Sequence, residues 1–129
     1  MAGVRGLGHV NLRAGADLVE RLRRFYIDIV GLAEGPRPAF NSGSHGYWLY
    51  AGNTDLVHLT IDANGDVATL PAGHFNHLAF DCDDLAATRA RLDATGTHYT
   101  IDNVAELGQT QLFLTDPAGM AIELTFTHP

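Results

Sequence analysis

The chain has 129 residues, 46% of them hydrophobic, with one cysteine and a formal net charge of −7. This length predicts one domain, 1–129, with a buried core, and no apolar run approaches the ~20 residues that cross a bilayer. The acidic charge without a basic cluster argues against nucleic acid as a partner. A single cysteine excludes an internal disulfide, and an N-terminus unlike a signal peptide predicts a cytoplasmic protein.

The first half of the chain predicts a strand, a helix and three further strands. Alternating residues predict a strand over 5–13. Apolar residues at helical spacing predict a helix over 16–30, and Gly31 follows as its C-cap. An extended segment near 32–35 is followed by a loop rich in proline and glycine, and then by strands near 46–51 and 55–62.

The same order returns in the second half. A strand is predicted over 74–82, and a helix over 84–95 has Asp83 or Asp84 as its N-cap and Gly96 at its end. Strands follow near 97–102, 110–116 and 119–127, the last two joined by the turn sequence TDPAG. The sequence therefore predicts an α+β fold of two βαβββ modules with curved mixed sheets, with bounds 4–62 and 73–127 and a connector over 63–72.

This repeat places potential metal ligands at equivalent positions of the two modules. The segment VHLT in the first half aligns with IELT in the second, and the two strand-opening histidines align with each other. The candidates are His9, His58, His77 and Glu123. Imidazole and carboxylate bind divalent metals, and alternation puts all four on the polar strand faces, around a concavity. A sheet with one solvated face would show the same alternation, but such faces seldom carry three histidines.

Other residues narrow the chemistry. The chain contains no lysine, which excludes Schiff-base catalysis. Its two serines lie outside a nucleophile elbow, and the acidic neighbours of Cys82 disfavour its thiolate. Acid–base or metal chemistry remains. Strand alternation also places Trp48, Tyr50, Gln111 and Phe113 on the concave faces, where packing is one interpretation of each. Together they would suit an apolar or aromatic substrate.

The paired modules, the segment HLAFDCDDLAATRARLDATG and the ending FLTDPAGMAIEL resemble the vicinal oxygen chelate superfamily. This superfamily includes glyoxalase I, epimerases, bleomycin-binding proteins and extradiol dioxygenases, and the resemblance covers nearly all of 5–127. It implies that His9, His77 and Glu123 bind a metal, with His58 as a fourth ligand. Glu123 and His58 are then the catalytic pair, with Glu123 as proton shuttle.

On the substrate side, the resemblance implies that Arg13 binds an anionic group, and Asn11 lies on the same strand face. A bound divalent ion would chelate two adjacent substrate oxygens. Two positions depart from the glyoxalase I pattern: His58 replaces a carboxylate, and Asp62 replaces an asparagine that binds glutathione. A carboxylate there would repel the carboxylates of glutathione, so glutathione specificity is not expected.

The resemblance thus implies a metal-dependent lyase or isomerase that acts on a small molecule with adjacent oxygens. The ion would be Ni, Zn, Co, Mn or Fe(II). The same resemblance implies a homodimer with metal sites shared between chains, and an intrachain site is the alternative. Two other functions stay open: a ring-cleaving dioxygenase that uses Fe(II), and a metal-free protein that binds an antibiotic.

Overall fold

The computed structural model describes residues 3, 5–40, 43–65 and 75–128. The chain divides into two compact units, Met1–Thr69 and Leu70–Pro129. This division falls within the connector that the sequence predicts over 63–72. In the described residues, each unit holds a four-stranded sheet and one α-helix. No helix in this part of the chain is long and apolar enough to cross a membrane.

The first unit contains β1 (Val10–Ala14), α1 (Ala16–Arg24), a π-helical segment (Phe25–Val30), β2 (Ala33–Gly35), β3 (Gly46–Ala51) and β4 (Thr54–Ile61). The strand order is β1-β4-β3-β2. Strand β1 runs parallel to β4, and the other neighbours are antiparallel. Since β1 precedes the helix and β4 is the last strand, the two ends of the module meet in the sheet.

Apolar side chains hold α1 on this sheet. The helix contacts β1, β3 and β4. The fully or almost fully buried side chains of the unit are Val19, Leu22, Tyr26, Leu49, Val57 and Leu59. Burying each such side chain contributes about 1.5–3 kcal/mol, so this face of the sheet supplies much of the stabilisation. The opposite face carries the polar candidates.

The predicted helix over 16–30 is correct in extent, but its second half is π-helical. The amide nitrogens of Gly31 and Leu32 both donate to the carbonyl oxygen of Tyr26, which closes a wider turn than an α-helix has. Gly31 ends the helix with φ of 100°, a left-handed conformation that glycine adopts without steric cost, and this confirms the predicted cap.

The second unit contains β5 (His77–Cys82), α2 (Leu85–Ala94), β6 (Thr100–Val104), a short 3-10 helix (Ala105–Leu107), β7 (Gln109–Thr115) and β8 (Ala121–Thr127). The order β5-β8-β7-β6, with β5 parallel to β8, repeats that of the first unit. Its buried apolar side chains include Leu92, Leu112, Leu114, Ile122, Leu124 and Phe126. The predicted α+β fold of two such modules is therefore confirmed.

Two aspartate side chains of the second unit accept hydrogen bonds from backbone amides. Asp84 is the N-cap of α2, and its carboxylate accepts a hydrogen bond of 3.0 Å from the amide of Ala87. In the predicted TDPAG turn, the Asp116 carboxylate accepts from the amides of Ala118 and Met120 at 2.8 and 2.9 Å. This turn sets the register between β7 and β8.

Several predicted bounds need correction. Strand β1 begins at Val10 and not at residue 5, so His9 lies one residue before it. Strand β5 begins at His77, while residue 74 lies outside the described residues. Strand β6 spans Thr100–Val104, later than the predicted 97–102. The glycines that precede His9 offer no side chains to pack, so this alternation is no evidence of a strand.

The internal repeat extends to the strand register. In the first unit, His58 on β4 pairs with Asn11 on β1. In the second, Glu123 on β8 pairs with Ala79 on β5. His9 and His77 therefore each stand two residues before the strand partner of the other candidate ligand of their unit.

Candidate metal centre

The first unit brings His9, Asp55 and His58 together, with one potential ligand atom of each lying within 4.8 Å of the others. The ring of His58 stacks on that of His9 at 3.8 Å between centroids and on that of Trp48 at 4.1 Å. Both partners are nearly parallel to His58, at 11° and 10°, so they cover its two faces. The His58 residue is buried, with 8% of its surface exposed.

Asp55 reaches this cluster because β4 is irregular. Val57 pairs with Leu49 and Asp55 pairs with Tyr50, so Leu56 between them has no partner on β3. In a regular strand, residues three apart point to opposite faces. The extra residue at this bulge turns Asp55 onto the face of the histidine of β4. The sequence analysis missed this residue.

A short hydrogen bond ties the carboxylate into the cluster. Nε2 of His58 donates to Oδ2 of Asp55 at 2.6 Å. This bond, together with a bond to the Asp55 backbone and the nearby imidazoles of His58 and His9, holds the pKa of Asp55 below its usual value. The carboxylate is therefore ionised at neutral pH and available as an acceptor or as a ligand.

The second unit brings His77 and Glu123 together. Nε2 of His77 lies 3.6 Å from Oε1 of Glu123, beyond hydrogen-bond distance. Nδ1 of His77 donates to Oδ1 of Asn76 at 2.7 Å, so in the neutral ring the lone pair is on Nε2. Thr125 donates to the other oxygen of Glu123, Oε2, at 2.5 Å. Nε2 of His77 and Oε1 of Glu123 thus lie close together without a hydrogen bond. The other polar atom of each side chain is held by a neighbouring residue.

The polar face of β1 carries two residues that the sequence analysis placed with substrate. Arg13 donates from Nε to Oδ2 of Asp62 at 3.1 Å. Asn11 accepts a hydrogen bond of 2.8 Å from the hydroxyl of Thr60. The amide of Asn64 and the guanidinium of Arg13 hold the pKa of Asp62 below its usual value. An anion that binds Arg13 must therefore compete with Asp62.

The aromatic candidates of β3 have contacts of their own. Trp48 is the strand partner of His58, and its ring stacks on the ring of that histidine. The hydroxyl of Tyr50 donates to the carbonyl oxygen of Pro36 at 2.5 Å, and its ring is so close to Gly35 that a side chain there would clash with it. Trp48 therefore supports a candidate ligand, and Tyr50 anchors the loop after β2.

The two candidates of β7 share a face with Glu123. Gln111 and Phe113 are partly buried and alternate with the buried Leu112. Phe113 pairs with Glu123, and Gln111 pairs with Thr125. An aromatic residue is thus the strand partner of each second ligand, Phe113 beside Glu123 and Trp48 beside His58.

Among the described residues, an open cavity of about 460 Å³ lies beside the loop after β2. It is lined by Arg37, Phe40, Ser44, His45 and Tyr47 among others, and none of the candidate ligands lines it. Arg37 crosses the loop to bind the carbonyl and hydroxyl oxygens of Ser44 at 3.0 and 3.1 Å. These contacts give the arginine a role in holding the loop.

A model of the glyoxalase/bleomycin resistance protein/dioxygenase superfamily matches residues 6–124. A structure described as a glyoxalase family protein from Bacillus anthracis has a TM-score of 0.74 at 24% identity and covers 99% of both chains. Lactoylglutathione lyase from Agrobacterium tumefaciens has a TM-score of 0.65 at 20% identity, covering 97% of this chain and 96% of that one. No curated protein sequence matches the chain.

A third structure is TnmS3, an antibiotic binding protein from Streptomyces sp. CB03234, with a TM-score of 0.70 at 20% identity and coverage of 99% and 100%. At such identities the three structures show the fold alone. The family match, in contrast, covers almost the whole chain and includes all four candidate ligands. The chain belongs to the glyoxalase/bleomycin resistance protein/dioxygenase superfamily, also called the vicinal oxygen chelate superfamily.

Proposed function

We propose that the protein is a metal-dependent enzyme of this superfamily, a lyase or isomerase that acts on a small substrate with adjacent oxygens. One observation carries the proposal. Each unit brings two potential ligands together at the same strand register, His9 with His58 and His77 with Glu123. A sheet face that only contacts solvent does not require such a pair at the same register of both units.

The donor set fits a divalent ion such as Ni, Zn, Co, Mn or Fe(II). Three imidazoles and one carboxylate are ligands that these borderline metals accept. Two ligands with bonds of about 2.0–2.2 Å lie roughly 3–3.5 Å apart around one ion. The 3.6 Å between His77 Nε2 and Glu123 Oε1 needs little adjustment to reach that distance. We propose that His9, His58, His77 and Glu123 are the metal ligands.

The residues around the ligands would act on the substrate. A bound ion supplies Lewis acidity for two adjacent substrate oxygens. Once Oε1 of Glu123 has left the ion, it would take and return a proton, since Thr125 holds the other oxygen. Phe113 and Gln111, which share this face, contact the substrate, and Arg13 binds an anionic group after its pair with Asp62 opens. Asn11 orients the same part of the substrate.

A ring-cleaving dioxygenase is the second candidate, and the stacking of His9 on His58 favours it, because two parallel rings in this arrangement do not bind the same ion. If His9 turns to the metal and His58 stays off it, His9, His77 and Glu123 remain. Two histidines and one carboxylate form the set that suits Fe(II) and dioxygen. A metal-free antibiotic-binding protein would need none of these ligands.

Elemental analysis of protein purified without a metal-affinity tag separates these functions. Nickel, zinc or cobalt at one ion per chain supports the lyase or isomerase, iron supports the dioxygenase, and no metal supports the binding protein. Proton exchange in D₂O then tests the chemistry with a panel of 2-hydroxy and 2-oxo compounds. The proposed enzyme exchanges the proton next to the carbonyl of at least one of them, and Glu123→Gln abolishes this exchange. A wild-type protein that exchanges none of them contradicts the proposal.

A further inference from the structure

Two of the four proposed ligands, those of the second unit, are each held through an atom other than the proposed metal-binding atom. His77 is held at Nδ1 by Asn76, and Glu123 at Oε2 by Thr125. Such partners orient the ligand and fix the tautomer of a histidine, and losing one typically weakens metal binding about 10- to 100-fold. The ligands of the first unit need an equivalent partner that orients them.

The internal repeat shows that the first-unit threonine equivalent to Thr125 does not orient a ligand in this way. Thr60 stands two residues after His58, as Thr125 stands two residues after Glu123. Thr125 donates to its carboxylate, whereas Thr60 donates to Asn11. His58 stands at the position equivalent to Glu123, and Thr60 donates to Asn11 instead of to this residue. The bulge of β4 brings Asp55 to the histidine instead.

We propose that Asp55 is the positioning residue of His58. Its carboxylate accepts a hydrogen bond from Nε2–H, which leaves Nδ1, with its lone pair, as the metal-binding atom. Trp48 fixes the plane of the same ring by stacking on it. This inference rests on the proposed function in one respect, that His58 is a metal ligand.

The distances favour this role over direct coordination. Nε2 of His58 and Oδ2 of Asp55 are 2.6 Å apart, which is a hydrogen-bond distance. Two ligands with bonds of about 2.0–2.2 Å are roughly 3 Å or more apart, so these two atoms are too close to bind one ion together. The proton between them explains the short contact.

The stacking of His9 on His58 explains why one of the two rings must be held in place. A metal lies near the plane of each imidazole that binds it, whereas these planes are almost parallel and their centroids 3.8 Å apart. One ring must therefore turn before both can bind the same ion. His9 is exposed and precedes β1, while His58 is buried and hydrogen-bonded. Asp55 thus fixes the stationary member of the pair.

The tautomer of His58 tests the proposal without any metal. In metal-free protein at about pH 8.5, where imidazole is ordinarily neutral, long-range nitrogen–proton NMR identifies the protonated ring nitrogen. We expect the Nε2–H tautomer in the wild type and in Asp55→Asn, because the asparagine oxygen still accepts the hydrogen bond from Nε2–H. Asp55→Ala should give a mixture of tautomers. A wild-type His58 protonated at Nδ1 overturns the proposal, whatever the protein catalyses.

Co(II) titration supplies the second readout. Asp55→Ala should weaken Co(II) binding about 10- to 100-fold, and Asp55→Asn should lie within about tenfold of the wild type. The visible spectrum of saturated Asp55→Asn should keep the wild-type shape, since no ligand is lost. Asp102→Asn, which removes a charge from the exposed β6, is the matched control and should bind as the wild type does. If both Asp55 variants bind as poorly as His58→Ala, with an altered spectrum, Asp55 is a ligand and the proposal is wrong.

A double variant shows whether Asp55 acts through His58. In the background of His58→Ala, Asp55→Ala should cause no further loss of Co(II) affinity, because the residue that it orients is gone. Additive losses would overturn the proposal. Thermal unfolding of each variant without metal separates these effects from a loss of folded protein.

Discussion

At the scale of single residues, Glu123 has its two oxygens in different surroundings, one held by Thr125 and one facing His77. Glu123→Gln removes the charge and keeps the size. We expect metal content to fall well below one ion per chain while the protein stays folded, because the buried neighbours of Glu123 lie on the other face of β8. Elemental analysis and thermal unfolding measure both. Unchanged metal content in Glu123→Gln and in His77→Ala would contradict the proposed ligands.

Thr125→Val tests the support of the same carboxylate. It removes one hydroxyl and keeps the shape of the side chain. The expected result is metal binding at the wild-type stoichiometry with affinity reduced about 10- to 100-fold. Titration with Co(II) measures this, and Thr127→Val, near the exposed end of β8, is the control. Equal affinities in the two variants would mean that Thr125 does not orient Glu123.

The ion pair of Asp62 predicts a dependence of stability on pH. The folded-state pKa of Asp62 is lowered, so its contribution is present above the unfolded-state pKa of about 3.9 and is lost as pH falls through the folded value. Asp62→Asn should therefore lose less stability than the wild type when pH is lowered from about 5 toward 2. Urea unfolding across this range checks the sign. Parallel curves for both proteins would contradict it.

The sequence predicted the ligand candidates but not Asp55. His9, His58, His77 and Glu123 follow from the repeat, which is visible in the residue order alone. Asp55 stands three residues before His58, and regular strand alternation assigns the two residues to opposite faces. Only the bulge unites them, and a bulge depends on pairing with β3, which residue order does not specify.

At the scale of elements, β3 and β4 carry Trp48 and His58, so their close approach matters for the site. A side chain at Gly46 would meet the backbone oxygen of Leu59 at 1.9 Å. We expect Gly46→Ala to destabilise the protein by about 3 kcal/mol, at the upper end of the usual cost of overpacking. Thermal or chemical unfolding measures this free energy.

Gly52 provides the matched control in the turn that joins the same strands. Its φ of 58° disfavours a side chain, but a Cβ there would meet nothing within 4 Å. Gly52→Ala should therefore cost only the strain of the left-handed conformation, about 1–2 kcal/mol. If Gly52→Ala destabilises as much as Gly46→Ala, backbone conformation and not close packing governs this hairpin.

Element types followed from the sequence more reliably than element ends. The hydrophobic period of 16–30 predicts a helix, but it does not distinguish an α-turn from the wider π-turn that ends at Gly31. The glycines before His9 alternate with larger residues, which imitates a strand without forming one. In both cases the missing information is the hydrogen-bond partner, which only the folded backbone supplies.

At the scale of the whole molecule, the homodimer that the resemblance implies predicts complementation between inactive chains. Strands β1 and β5 end their sheets in the described chain, and unpaired edges of this kind favour assembly. If sites are shared between chains, a heterodimer of His9→Ala and Glu123→Ala subunits has one intact site of two. Mixing the variants by unfolding and refolding should therefore restore part of the bound metal. No recovery at all would show that each site belongs to a single chain.

The contact of Trp48 with His58 gives the protein an internal optical probe. Trp48 is the only tryptophan of the chain, so its ultraviolet emission can be followed without interference from another indole. Its ring lies 4.1 Å from that of His58, which places it within a few ångströms of any ion that His58 binds. Open-shell ions such as Co(II) or Ni(II) should quench this emission, whereas Zn(II) should not. The protein can thus report the arrival of its own metal without an attached dye.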